Sequence, residues 1–442
     1  MAGKKQFSNK SVPGQKLDCN PLGLRQHRAP QGMNSNPNRV LVILILGALS
    51  TISPMSIDMY LPAFPQMAAA FHTSPAKVSL SLSTYFIGLA VGQLIYGPLL
   101  DRFGRKLPLY AGLMLFFVMS FACMFAPNME TLLAFRCVQA LGGCAAAVAS
   151  MAMVRDFFPA KDAAKIISLL ILILGVSPML APTIGTYVAL AWGWRYVFVV
   201  LAMLVLIVQT AVFFLLPEKH QPDPTISLHP WPIVKNYIHV LREPEFYTYT
   251  FAGAFSFAGV LVYVAGSPII FMDSFHVTTR QYGMIFAGLS VGFIGSNQVN
   301  IWLLKHFTSA QIFKAAIIIE CICSMIFLAG TYLGWFGLAT TLVFLFVLLS
   351  CLGLTYPNAA AMALSPFDKN IGSASAMLGF VQIGVAALTS SCVGLFNSKT
   401  IMPVIIIFMI SAWIALAIFM IGRKRLPVVP HLAVGETPAG PH

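Results

Sequence analysis

Two charges stand in stretches otherwise fit for lipid. Asp58 falls near the end of the apolar run Val40–Tyr60, within Ser56-Ile57-Asp58-Met59-Tyr60-Leu61-Pro62, and Arg136 lies inside Leu132–Val154, within Arg136-Cys137-Val138-Gln139. A charge within a membrane span costs about 2.5–3.5 kcal/mol on insertion scales, so one that persists is expected to face a cavity or a partner. A carboxyl group binds and releases protons; burial favours its neutral form and a neighbouring cation its ionised form. At a rise of about 1.5 Å per residue, counting in from Glu130 and back from Pro62 brings both side chains to similar depth, which makes them a candidate proton-coupling pair. The plainer alternatives are a carboxylate at the membrane interface and an arginine snorkelling outward.

A second group of charges sits in a short break, Gly97-Pro98-Leu99-Leu100-Asp101-Arg102-Phe103-Gly104-Arg105-Lys106. Glycine serves a tight turn or a close helix approach, and an acid among three cations can bridge to neighbouring helix ends and latch one conformation. A merely basic loop explains the cations but not Asp101 or the glycine spacing. Pro178 and Pro182 each remove a backbone donor on one face of their helix and, with Gly185 nearby, make a candidate hinge. Candidates for a substrate pocket are Tyr60, Gln139, Phe255, Phe257, Tyr263, Asn358 and Gln382, with polar contacts between helices as the alternative for the amides. Glu320 is expected to mark local packing or snorkelling rather than to carry protons.

The elements that must position these residues follow from composition. Of 442 residues 58% are hydrophobic and 9% charged, against roughly 25% charged in soluble domains. A spanning helix needs about 20 mostly apolar residues, and twelve such runs occur. Spans one to six are Val40–Tyr60, Val78–Leu100, Leu107–Ala126, Leu132–Val154, Ala164–Ala191 and Tyr196–Leu216. Spans seven to twelve are Tyr247–Phe271, Tyr282–Leu304, Phe313–Leu333, Leu338–Ala361, Gly372–Phe396 and Met402–Ile421. The expected organisation is an all-α membrane protein: a basic, disordered tail (1–39), a six-helix bundle (40–216), a linker (217–245), a second bundle (246–421) and a short tail (422–442). The first run is too long for a signal-peptide core and is read as a retained helix; Met33 offers a shorter reading frame.

The net charge of +13 does not point to nucleic acid. Of the 27 Lys and Arg, four (Lys77, Arg195, Arg280, Lys399) fall in breaks on one side and Arg136 within a span, leaving 22 on the other side. That asymmetry places both termini in the cytoplasm and leaves anionic lipid headgroups as the implied partner. The eight cysteines form no paired-Cys motif; Cys19 lies in the tail and the other seven within spans, where they read as small packing residues. There is no HExxH, Walker loop or nucleophile elbow, so neither a metal nor a cofactor nor an enzyme is expected.

The Gly97–Lys106 loop resembles the loop signature of the major facilitator superfamily, and Leu100 stands where a small residue is usual. Arg136-Cys137-Val138-Gln139-Ala140-Leu141-Gly142 resembles the span-four signature of drug:proton antiporters, with Ala140 for a glycine. Gly175–Thr186 partly resembles the exporter motif of span five. Together with Gly92-Gln93-Leu94-Ile95-Tyr96-Gly97-Pro98 and Phe255-Ser256-Phe257-Ala258-Gly259, the chain is similar to the bicyclomycin-resistance (Bcr/CflA) group over about residues 39 to 425. The resemblance implies the major facilitator fold in a bacterial inner membrane, with a central cavity formed by spans one, four, seven and ten. It implies gating by Gly97, Asp101, Arg102, Gly104, Arg105 and Lys106, with Asp156 as partner of Arg105. Proton-driven efflux of small amphipathic molecules by a monomer, without cofactor, is then expected. A specific exporter of an amino acid or sulfur compound is the alternative, and a non-transporting sensor a more distant one.

Overall fold

The computed structural model describes residues 39–219, 222–223, 229–367, 371–396 and 400–424; Cys19, Met33, Lys369, Lys399 and both tails lie outside them. Among the described residues, twelve helices are long and apolar enough to cross a bilayer. Helices suit this solvent because every backbone polar group is satisfied within the segment.

Span one is longer than hydropathy indicates. Helix α1 (Arg39–Asp58) is followed by a 3-10 turn (Leu61–Ala63) and a short α2 (Phe64–Ala70), so that the span runs from Arg39 to Ala70. Pro62 and Pro65 look like breaks in the sequence, yet each stands at the start of its new helix, where a missing N–H costs nothing. Spans two to six are α3 (Pro75–Phe103), α4 (Lys106–Met124), α5 (Met129–Phe157), α6 (Ala160–Trp192) and α7 (Arg195–Leu215). The linker contains an amphipathic helix, α8 (Pro230–Leu241). Spans seven to twelve are α9 (Pro244–Pro268, continued by a π-helical turn Ile269–Ser274), α10 (Thr279–Leu303), α11 (Ser309–Tyr332), α12 (Leu338–Leu364), α13 (Ile371–Leu395) and α14 (Met402–Arg423). Side chains close the helix starts: Ser74 and Asn128 accept from Lys77 and Thr131, and Thr278/Gln281 and Thr308/Gln311 form capping boxes.

The two sets of six pack alike. In the first, α1 lies against α5, α6 and α7, and α5 against α3 and α4; in the second, α9 lies against α12, α13 and α14, and α12 against α10 and α11. Two seams join the sets, α3 with α13 and α6 with α10. With lipid outside there is little hydrophobic drive between helices, so close backbone approach and hydrogen bonding hold the sets together. The α4–α5 contact shows this: a β-carbon on Gly142 would stand 2.5 Å from the Gly112 carbonyl oxygen and 2.6 Å from the Phe116 nitrogen. Neither backbone can move aside. Gly142→Val is therefore expected to destabilise the purified protein by about 1–3 kcal/mol, the usual cost of overpacking, measured as an earlier loss of the monodisperse gel-filtration peak on heating.

Candidate functional site

The C-terminus of α1 is where the chain meets its buried cation. Pro62 has no N–H to donate to the carbonyl four residues earlier, at Asp58, and α1 ends there. The last carbonyls of a helix lack partners and carry partial negative charge. Arg136 of α5 fills this position: its guanidinium donates to the Ser56 carbonyl at 2.9 Å and to Ser56 Oγ at 2.7 Å, and also to Gln139 Oε1 at 2.6 Å. Gln139 in turn donates to Ser120. The guanidinium carbon stands 4.2 Å from the Tyr85 ring centre and 4.4 Å from that of Tyr60, with Phe198 at 5.8 Å. Arg136 is 0% exposed. It does not snorkel; helix end, hydroxyl, amide and aromatic faces replace its water.

Asp58 is also buried. Its carboxyl makes no ion pair or hydrogen bond with Arg136, whose grip is on Ser56, two residues earlier. The Asp58 carboxyl lies within electrostatic reach of Tyr263 on α9 and Tyr282 on α10, in the other half. Asp58 therefore stands at the junction of the halves. They are closed at this end: Ser83 Oγ lies 3.0 Å from Ser390 Oγ, and Thr186 donates to the Thr279 carbonyl at 3.4 Å. Gly185 packs on the Met59 carbonyl next to Asp58. Of the three hinge candidates, Gly185 thus serves close packing, and α6 runs through Pro178 and Pro182 as one helix.

At the opposite, basic end the halves part. A cavity of about 820 Å³ lies there between α3 and α5 on one side and α8, α12 and α13 on the other, with exposed Arg155, Pro232 and Gly372 at its rim. Gln93, Met151, Asn236 and Tyr356 line it. Phe257 lies against Tyr356 with ring centres 4.7 Å apart and planes tilted by 37°, beside the cavity. The other pocket candidates lie elsewhere in this conformation. Tyr60 is held by Ser81, Gln139 by Arg136 and Ser120, and Asn358 by Asn300 and the Leu354 carbonyl. Tyr263 stacks on Phe286, Phe255 is half-buried, and Gln382 is buried with its amide nitrogen unpartnered.

The basic loop forms a network. Arg105 donates to Asp156 Oδ2 at 2.8 Å and to Asp101 Oδ1 at 2.7 Å, joining α3, α4 and α5. Burial works against the Arg105 charge, but the hydrogen bonds and charges of Asp156 and Asp101 outweigh it and hold the guanidinium above its ordinary value. Glu218 accepts from the backbone N–H groups of Arg105 and Lys106 and so caps α4. Arg102 lies over the Phe103 ring. Gly104 ends α3 with φ +83, a conformation that needs no β-carbon. Gly97 has open space where a β-carbon would stand and lines the cavity, so its spacing does not serve close packing, while Leu100 is buried.

Several functional contacts escape sequence reasoning. Tyr85 and Ser56 hold Arg136 yet look like ordinary span residues. Helix α8 joins the halves, its Tyr237 donating to the Leu94 carbonyl and its Asn236 to Ser373; apolar residues at helical spacing between Pro230 and Leu241 are the signal that could have revealed it. Glu320 is 0% exposed inside the second half, which removes the snorkelling expectation.

The family model described as Major Facilitator Superfamily matches residues 46–390. The chain is 30% identical over 391 residues to the uncharacterized MFS-type transporter YdgK of Bacillus subtilis, covering 88% of this chain and 97% of that protein. It is 29% identical over 375 residues to a bicyclomycin resistance protein homolog of Haemophilus influenzae, covering 84% and 94%. The crystal structure of a D-xylose-proton symporter superposes with a TM-score of 0.69 at 15% identity, covering 88% of this chain and 98% of that one, which is a likeness of fold. Twelve spanning helices in two alike sets, the loop network and these matches agree: the chain belongs to the major facilitator superfamily, in its bicyclomycin-resistance (Bcr/CflA) group, and is a multi-pass membrane transporter of small molecules, not an enzyme.

Proposed function

We propose that the protein exports drugs or similar small amphipathic molecules from the bacterial cytoplasm in exchange for protons, by alternating access of the cavity between its halves. The basic end is cytoplasmic in this reading, because 22 of the 27 Lys and Arg gather there; the structure then corresponds to a state open to the cytoplasm. One observation carries the coupling: Asp58 is buried at the junction of the halves with no cation paired to it. In this conformation a proton is what neutralises it. Opening of the Asp58 end would wet the carboxyl and exchange its proton with the periplasm. Arg136 acts on Asp58 through the α1 end that it caps, and direct pairing belongs to another stage of the cycle.

One proton descending 100 mV releases about 2.3 kcal/mol, and about 1.4 kcal/mol is a tenfold ratio, enough to hold a neutral drug more than tenfold out of balance. The name of the H. influenzae relative favours a drug as cargo. An exporter of one endogenous metabolite on the same scaffold remains the second reading; it predicts that deletion depletes one compound from the medium without changing drug tolerance.

In proteoliposomes, ethidium movement by the wild type is expected to follow an imposed pH gradient and to vanish when the gradient is collapsed. Asp58→Asn should retain ethidium binding but move fewer protons per ethidium and respond less to pH; gradient-driven transport by this variant at the wild-type rate and proton ratio would remove Asp58 from the coupling.

Arg136→Lys should cost about 3–5 kcal/mol, because a buried charge would remain without the fork that satisfies it. A lower yield of folded protein and an earlier thermal transition would register the loss.

Arg105→Ala removes two charge-assisted hydrogen bonds worth about 1.5–3 kcal/mol each, partly screened because Asp101 is half exposed. At least a tenfold fall in transport rate is expected in the same proteoliposomes, since the latch, whose Asp101 and Arg105 line the cavity, holds a conformation.

A further inference from the structure

Glu320, at the middle of α11, is the second of two buried carboxyl groups among the described residues; the other is Asp58. Helix α11 packs against α12 and α14, and the Glu320 side chain reaches Ser256 of α9. Three oxygens stand in a row: Glu320 Oε2 lies 2.8 Å from Ser256 Oγ, and Ser256 Oγ lies 2.8 Å from Thr355 Oγ1 on α12. The Thr355 hydroxyl donates to the Leu352 carbonyl at 3.2 Å. Glu320 Oε1 is buried with no partner.

Among the described residues no cation faces this carboxyl. Its titratable neighbours are the thiols of Cys321 and Cys323 on its own helix and Cys351 on α12. Helix α9 presents the Ser256 hydroxyl, and α14 the Ala412 carbonyl, which accepts from Cys321.

Counting protons separates two states of the row. Each hydroxyl has one proton to donate, and either Ser256 or Thr355 can be the donor between them. An ionised Glu320 takes the Ser256 proton; Thr355 must then donate to Ser256 and give up the Leu352 carbonyl, and the second carboxylate oxygen is bare in a medium where unpaired charge is costly. A neutral Glu320 that donates to Ser256 lets Ser256 donate to Thr355 and Thr355 to Leu352, so that every close pair of oxygens holds one proton.

We infer that Glu320 is a second proton-binding site, in the C-terminal half and separate from Asp58, loaded while the cavity is open at the basic end. Ser256 and Thr355 immediately precede Phe257 and Tyr356, whose rings meet beside the cavity. Repacking of α9 against α12 at the cavity wall breaks the row and releases the proton. Only the use of this proton in transport rests on the proton-coupled reading; its presence does not.

Infrared spectra of the full-length protein in lipid nanodiscs test the site through the C=O band of a protonated carboxyl. In Asp58→Asn at neutral pH one such band should remain, disappear on alkaline titration, and be missing from the Asp58→Asn/Glu320→Gln double variant. Isotope labelling of glutamate side chains in the wild type reads the same band should the double variant fail to fold. Absence of the band in Asp58→Asn, or its survival at every pH at which the protein stays folded, overturns the site. In ethidium-loaded proteoliposomes Glu320→Gln, which keeps a neutral hydrogen-bonding group, should roughly halve the protons moved per ethidium; an unchanged ratio makes Glu320 a fixed contact and overturns its part in the cycle. A wild type that moves no protons refutes proton-coupled export and leaves the spectroscopic result to stand alone.

Discussion

A guanidinium cannot be neutralised by losing its proton, so a protein that buries one among lipid-bounded helices must rebuild around it what water would supply. The grip of Arg136 on the end of α1 meets that demand, and much else follows from it. The helix must stop where its carbonyls are free, which Pro62 ensures; Tyr60 and Tyr85 must bring their rings to the cation; Gln139, which donates to Ser120, must accept a further hydrogen bond from it. Asp58, two residues past the gripped carbonyl, is thereby fixed at the junction of the halves. The position of the acid is a consequence of how the cation is satisfied.

That arrangement changes what the acid can meet in this conformation. An ion pair between Asp58 and Arg136 would tie the acid to its own half. Instead the acid is left facing Tyr263 and Tyr282 of the other half, where its charge or neutrality bears on how the halves meet. The basic loop shows the opposite solution: Arg105 is shared between Asp101 and Asp156 within one half, which stiffens that half at the end where the cavity opens.

The spans were legible because the bilayer enforces them: a run of about twenty apolar residues has few other uses. The Arg105–Asp156 contact was legible too, through the resemblance of the Gly97–Lys106 loop to a family signature. Legibility failed where the answer depends on helix rotation or on chain that is neither apolar nor disordered. Pro62 and Pro65 read as the end of span one but start new helical turns. Glu320 reads as local packing or snorkelling because a linear pattern does not say which way a side chain faces, and it is buried against Ser256 instead. Gly97 owes its motif spacing to no close contact in this state, a distinction that no linear pattern contains.

The contacts that shut the Asp58 end are modest in kind. Two hydroxyl bonds, Ser83 with Ser390 and Thr186 with Thr279, cross it at the end that also buries Asp58, Tyr263 and Tyr282. Such neutral bonds contribute about 0.5–1.5 kcal/mol each, so together they are of the same order as the roughly 2.3 kcal/mol that a single charge gains on crossing 100 mV. A closure of that strength holds the end shut and is still within reach of a modest input of free energy. A pair of salt bridges at the same place would have made the gate a lock.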